Sequence, residues 1–156
     1  MEGILLLSQK LVQRVELDFK RFVYPKLHSD KPLIGVKGAR GTGKTTLVLQ
    51  WLKELSVPDS AKAYFSLDHL YFASHSLWDT AVAFHQQGGK YLALDEVHKY
   101  EGWSAELKNL YDHYPELQIR FTGSSIIDLS QQEADLSRRV FWYELPGLSY
   151  REYLSF

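Results

Sequence analysis

Cysteine is absent from this chain, which excludes a disulfide framework and any metal site built on thiolates. Long apolar runs are lacking too: the stretch at residues 4–7, just after Glu2, is far too short for a secretory signal or a membrane span. No charge of one sign dominates. The formal net charge of -1 gives no global field that would favour nucleic acid. Repeats, low-complexity tracts and linker-like segments are missing as well.

What is present suits one compact domain. With 156 residues, 45% hydrophobic and 24% charged, the chain can bury one sizeable core. The expectation is a single cytoplasmic domain over residues 1–156, with residues 1–30 as a helical lead-in. Aromatics make up 14% and fall at core-like spacings, as with Phe19 and Phe22 or Tyr111 and Tyr114, which favours packing over base stacking.

The run Gly38-Ala39-Arg40-Gly41-Thr42-Gly43-Lys44-Thr45 fits the P-loop pattern G-x-x-x-x-G-K-[ST] at every fixed position. Gly41 and Gly43 leave room for the backbone to wrap a phosphate with its N–H groups turned inward. Lys44 has the reach for the β- and γ-phosphates, and the Thr45 hydroxyl suits Mg²⁺. Residues 33–36 ahead of the loop read as a short buried strand. Residues 46–55 read as a helix, with Val48, Trp51, Leu52 and Leu55 on one face. Thr46 completes the expected nucleotide-binding set at the helix N-terminus, where the partial positive charge favours an anion.

Tyr91-Leu92-Ala93-Leu94-Asp95-Glu96 is an apolar strand ending in two acids, the Walker B pattern. Asp95 is the candidate partner of Mg²⁺ opposite Thr45, and Glu96 is the candidate base for an attacking water. A kinase needs no such glutamate, whereas a hydrolase does. His28, His69, His75, His85 and His113 show no ligand spacing, so no metal beyond nucleotide-bound Mg²⁺ is indicated.

Elsewhere the sequence predicts a helix over 9–27, a strand over 63–67, a helix over 77–87 and a helix after a Ser104 cap. A strand at 118–122, a short helix at 129–136 and a strand at 140–145 follow. Strands alternating with helices predict an α/β three-layer sandwich around a five-stranded parallel sheet, with ligand at its carboxyl edge. An extra strand lies between the Walker A and Walker B strands, a mark of P-loop proteins with an additional catalytic glutamate.

The P-loop, Leu94-Asp95-Glu96-Val97-His98-Lys99, Trp103, Phe121-Thr122-Gly123-Ser124-Ser125, Leu136-Ser137-Arg138-Arg139 and Tyr143-Glu144-Leu145-Pro146 resemble a bacterial and archaeal AAA-type ATPase family over nearly the whole chain. Members of that family carry a lid or winged-helix region and a C-terminal domain of unknown function. The resemblance implies that this chain is a fragment without them. It also implies Mg²⁺-dependent hydrolysis of ATP to ADP, slow in the isolated core, and a homo-oligomer for the full-length protein. Adenine rests on the resemblance alone, although no N-K-x-D guanine-reading sequence is present. The resemblance casts Ser124 as the sensor at the tip of the fourth strand, with Thr122 and Ser125 as competitors. Arg139, with Arg138 as the alternative, matches the place of an arginine finger.

Two rival readings stand beside this one. A nucleotide-gated binding module would use ATP to order an interface with negligible turnover. Asp95-Glu96-Val97-His98 also spells the D-E-x-H box of helicases, but the chain has no room for a second motor domain and offers no strand-binding groove.

Overall fold

Alternation within each strand decides the architecture. Ala63, Phe65, Leu92 and Leu94 enter one buried cluster, while Tyr64 and Ala93 between them enter another. Successive side chains of a strand point to opposite faces, so a sheet whose strands feed two cores is covered on both sides. The structure, a computed structural model that describes residues 1–124 and 136–155, builds five strands into such a sheet. They are β1 (Leu33–Gly38), β2 (Lys62–Ser66), β3 (Tyr91–Asp95), β4 (Gln118–Ser124) and β5 (Phe141–Glu144).

Every pairing is parallel and the order is β2-β3-β4-β1-β5. The expected extra strand is β2, which takes the edge beyond β3, while β4 separates β3 from β1. Helix α2 (Lys44–Glu54) lays Leu47, Val48, Trp51 and Leu52 on one face with Ile34 and Val36. Helices α4 (Leu77–Gln86) and α5 (Trp103–His113) cover the other with Phe84, Leu107 and Leu110. A Cβ on Gly35 would stand 2.7 Å from the Phe121 and Trp142 rings, so the bare backbone lets those two rings pack across β1.

The N-terminal region departs from the helix expected over 9–27. Helix α1 is Glu2–Arg14, and a 3-10 turn covers Tyr24–His28, with the chain extended at Val15. Periodicity lost to hydrogen bonds from α2. Gln50 Nε2 donates to the Glu16 and Phe19 carbonyls at 2.9 and 2.8 Å. Lys53 Nζ donates to the Gln13 and Val15 carbonyls at 2.9 and 2.7 Å. Those carbonyls are the acceptors a continuing helix would need. Helix α1 buries Ile4, Ser8 and Val12 against the edge strand, and the Tyr64 N–H donates to Ser8 Oγ at 2.7 Å. That bond occupies an edge-strand donor that would otherwise invite another chain.

Smaller differences follow local chemistry. Ser76 caps α4, accepting from the Asp79 N–H at 3.0 Å. Ser104 does not cap α5, because the helix begins at Trp103, two residues earlier than such a cap would set, after Gly102 in the left-handed region at φ 81°. A one-turn helix α3 (Tyr71–Ser74) and a closing helix α6 (Tyr150–Ser155) complete the layout. The helix expected at 129–136 falls almost wholly outside the described residues. Among the described residues, no helix is long and apolar enough to cross a membrane.

Candidate functional site

The carboxyl ends of β1, β3 and β4 converge with the start of α2 on a cavity of about 540 Å³. Beyond Gly38 the chain turns through Gly41 and Gly43, whose φ angles of 83° and 95° lie in the left-handed region. A side chain there costs roughly 1–2 kcal/mol per residue, which is why both positions are glycine. A Cβ on Gly38 would sit 2.7 Å from the Leu145 carbonyl, so this glycine answers to close approach instead.

Lys44 opens α2 and is buried. Its ammonium donates to the Gly38 and Ala39 carbonyls at 2.8 and 2.9 Å, which leaves one proton for a ligand. Thr42 braces the loop from within, its hydroxyl donating to the Ala39 carbonyl at 2.8 Å. Arg21 braces it from outside. Nη1 donates to the Thr42 carbonyl at 2.6 Å, Nη2 donates to the Pro146 carbonyl, and Nε pairs with Glu152 at 2.9 Å. A loop that turns its N–H groups inward presents carbonyls outward, and Arg21 occupies one of them.

Opposite the loop, the Asp95 carboxylate gathers three hydroxyl donors from three elements. Thr45 and Tyr64 donate to Oδ2, each at 2.6 Å, and Thr122 donates to Oδ1. Burial, reinforced by the Asp95 charge, pushes the Tyr64 phenol far above its ordinary value, so Tyr64 keeps the proton it donates to Asp95. Thr122 also accepts from the Glu96 N–H at 3.1 Å and so orders both acids at once. Glu96 sits just past β3 in the left-handed region at φ 56° and borders the cavity. His98 is close by, its Nε2 3.3 Å from Glu96 Oε2 and its Nδ1 accepting from the Ser124 N–H at 3.2 Å.

Arg40, Lys44, Thr45, Asp95, Glu96 and Ser124 all line the main cavity, as the motifs imply. Gly41, Thr42, Gly43 and Thr46 border a second cavity, of about 210 Å³, on the outer flank of the loop. Of the competitors for the sensor position, Thr122 is fully buried on Asp95, Ser124 reaches the cavity, and Ser125 lies outside the described residues. Arg139 is elsewhere. Its guanidinium pairs with Asp112 on α5 at 2.9 and 3.2 Å, away from its own chain's cavity. Arg138 holds φ 70° beside it.

Sequence reading missed Tyr64, Arg21 and the Ser66–Asp68 pair that also lines the cavity. A tyrosine in the strand that precedes the Walker B strand along the chain was the available signal for Tyr64. Arg21 among other charges gave none.

A family model described as AAA domain matches residues 30–154 of the chain. No curated protein matches it significantly in sequence. Among solved structures, PCH-2 of C. elegans superposes with a TM-score of 0.50 at 17% identity, over 94% of this chain and 41% of its own. The Hsp104-ADP complex of S. cerevisiae gives a TM-score of 0.60 at 18% identity, over 92% of this chain and 24% of its own. The chain thus spans less than half the length of either, and at these identities the likeness is one of fold.

Proposed function

The chain belongs to the AAA domain family, and from that premise we propose that it binds ATP with Mg²⁺ and hydrolyses it to ADP and phosphate. One observation carries this reading: Thr45 of the phosphate loop and Asp95 of the Walker B strand meet at 2.6 Å on the wall of a cavity that Lys44 and Glu96 share. A hydroxyl and a carboxylate so placed are hard oxygen donors, the set that suits Mg²⁺. When bound, the ion supplies neutralisation of charge on the phosphate oxygens.

The residues divide the work. Gly38, Ala39, Arg40, Gly41, Thr42 and Gly43 wrap the phosphates, with the α2 N-terminus, Thr45 and Thr46 beneath them. Lys44 contributes its remaining proton to the β- and γ-phosphates. Thr45 and Asp95 hold the metal position. The Glu96 carboxylate takes a proton from water as the water oxygen attacks the γ-phosphorus, and the bond to the ADP oxygen breaks in line. Ser124 senses the γ-phosphate. The second cavity, flanked by Phe19, Leu47 and Leu148, offers the apolar walls an adenine ring requires. In a homo-oligomer of the full-length protein, Arg139 leaves Asp112 and serves a neighbour's nucleotide. The setting for this chemistry is the cytoplasm.

A thermal-shift titration with Mg-ATP tests the assignment. The wild-type chain should gain stability with ligand, following RT ln(1 + [L]/Kd). Lys44→Ala should fold and show no such gain. An undiminished shift in Lys44→Ala would overturn the phosphate-loop reading.

A further inference from the structure

His98 belongs to neither Walker motif, yet its ring lies between Glu96 and the end of β4. The 3-10 turn Val97–Lys99 puts it there. Val97 is fully buried in the core, the Lys99 N–H donates to the Glu96 carbonyl at 3.0 Å, and the Tyr100 N–H donates to the Val97 carbonyl at 3.0 Å. The His98 side chain is 12% exposed, so its ring is held rather than swinging in solvent.

The contacts of the two ring nitrogens differ in kind. Nδ1 accepts from the Ser124 backbone N–H at 3.2 Å, and a nitrogen that accepts carries no proton. In the neutral ring the proton therefore sits on Nε2, 3.3 Å from Glu96 Oε2. Burial first, then Lys99 and Lys44, hold the ring below its ordinary value against the opposing pull of Glu96 and Asp95, so the neutral form prevails at pH 7. Nε2 faces one carboxylate oxygen of Glu96, within reach of a hydrogen bond. Oε1 has no partner among the described residues. Meanwhile the Glu96 backbone, at φ 56°, is held by the Thr122 hydroxyl two residues before Ser124. Both the main chain and the side chain of Glu96 are thus anchored to β4, the first directly and the second through His98.

We propose that His98 is a positioning residue that fixes the Glu96 carboxylate by a hydrogen bond from Nε2 and ties it to the tip of β4 through Nδ1. The inference rests on the reading of Glu96 as the base. A carboxylate on an exposed rim samples several rotamers, and one tied at a single oxygen presents the other in a constant place. Misplacement by about 1 Å is enough to cost on the order of 100-fold in rate. Neither nitrogen is directed at the phosphate loop, so nucleotide affinity does not depend on the bond.

The two arms are separable by substitution. His98→Gln keeps an amide donor near the place of Nε2. His98→Asn keeps a polar atom only near the place of Nδ1, and His98→Ala removes both. Each variant of the full chain is assayed for binding of a fluorescent ATP analogue and for single-turnover hydrolysis of Mg-ATP, beside Glu96→Gln. Expected is a hydrolysis rate lowered by about 10- to 100-fold in His98→Ala and His98→Asn, largely restored in His98→Gln, with affinity within about twofold throughout. Hydrolysis at the wild-type rate in His98→Ala, with Glu96→Gln slow, would overturn the role of His98 and leave the base in place. Wild-type hydrolysis in Glu96→Gln would remove the base reading, and this inference with it. Nitrogen NMR of the His98 ring gives a test apart from activity: the neutral tautomer should carry its proton on Nε2, and a proton on Nδ1 would contradict the proposal.

Discussion

The two ends of the sheet handle buried polarity in opposite ways. At the carboxyl end, one carboxylate, Asp95, is surrounded by the hydroxyls of Thr45, Tyr64 and Thr122, and the cluster borders a large cavity. At the amino end, one cation, Arg120, is almost completely buried and committed mainly to backbone. Its guanidinium donates to the carbonyls of Leu27, Ser29, Lys31 and Ile119 and stacks 4.9 Å from the centre of the Trp51 ring. Burial brings it down to about 10, still far above neutral pH, so it remains charged. Hydroxyls on a carboxylate rotate and yield to an incoming ligand. A planar fork filled by fixed carbonyls does not. One end is built to exchange partners, and the other is a joint that holds residues 27–31 against β4.

Removing the joint should have the largest effect. Arg120→Met would strand several buried carbonyls, each worth about 1–3 kcal/mol when unsatisfied. Urea unfolding should show a loss of about 3 kcal/mol or more. The Mg-ATP affinity of the fraction that remains folded should be unchanged. A large loss of affinity at equal folding would erase the distinction between the two ends.

Arg21 sharpens the contrast, being a buried arginine that does have a carboxylate. Burial pushes the Glu152 carboxyl up, but bonds from the Ser149 and Phe22 N–H groups and from Arg21 outweigh it and bring it down to about 2. A carboxylate with a lowered value stabilises the fold above its unfolded value and loses that contribution as pH falls through the folded one. Stability should therefore decline between about pH 4.5 and pH 2 through this group. Chemical unfolding across that range should show a shallower decline in Glu152→Gln. An identical acid limb in both proteins would show that the pair carries no such linkage.

The smallest effect belongs to the exchanging end. Tyr64→Phe removes one of three donors to Asp95 while Thr45 and Thr122 remain. It should cost about 1 kcal/mol of stability and change the Mg²⁺ concentration needed for nucleotide binding only a few-fold. A collapse of binding would mean that Tyr64, not Thr45, holds the carboxylate in place.

What the sequence made legible follows the same division. The phosphate loop and Asp95-Glu96 were readable because their geometry is local: a glycine at φ 83° or 95° and an acid at a strand end leave marks within a few positions. The parallel sheet was readable because strands and helices alternate along the chain, as parallel crossovers require. Long-range bonds were not. Residues 9–27 carry a helical period that Gln50 and Lys53 override from α2, more than thirty positions away. Tyr64 acquires its role only because β2 lies beside β3. Arg139 has the spacing of a finger, and its partner Asp112 is visible only once α5 is packed against it.

Everything proposed for the carboxyl end of the sheet turns on Glu96 acting as the base in hydrolysis. Single-turnover hydrolysis of Mg-ATP by the wild-type chain and by Glu96→Gln, with affinity measured on the same samples, tests it most directly. Equal affinity and a rate lowered by roughly 100-fold or more are expected in Glu96→Gln, because the amide keeps the shape and loses the proton acceptor. Equal rates in the two proteins would contradict it.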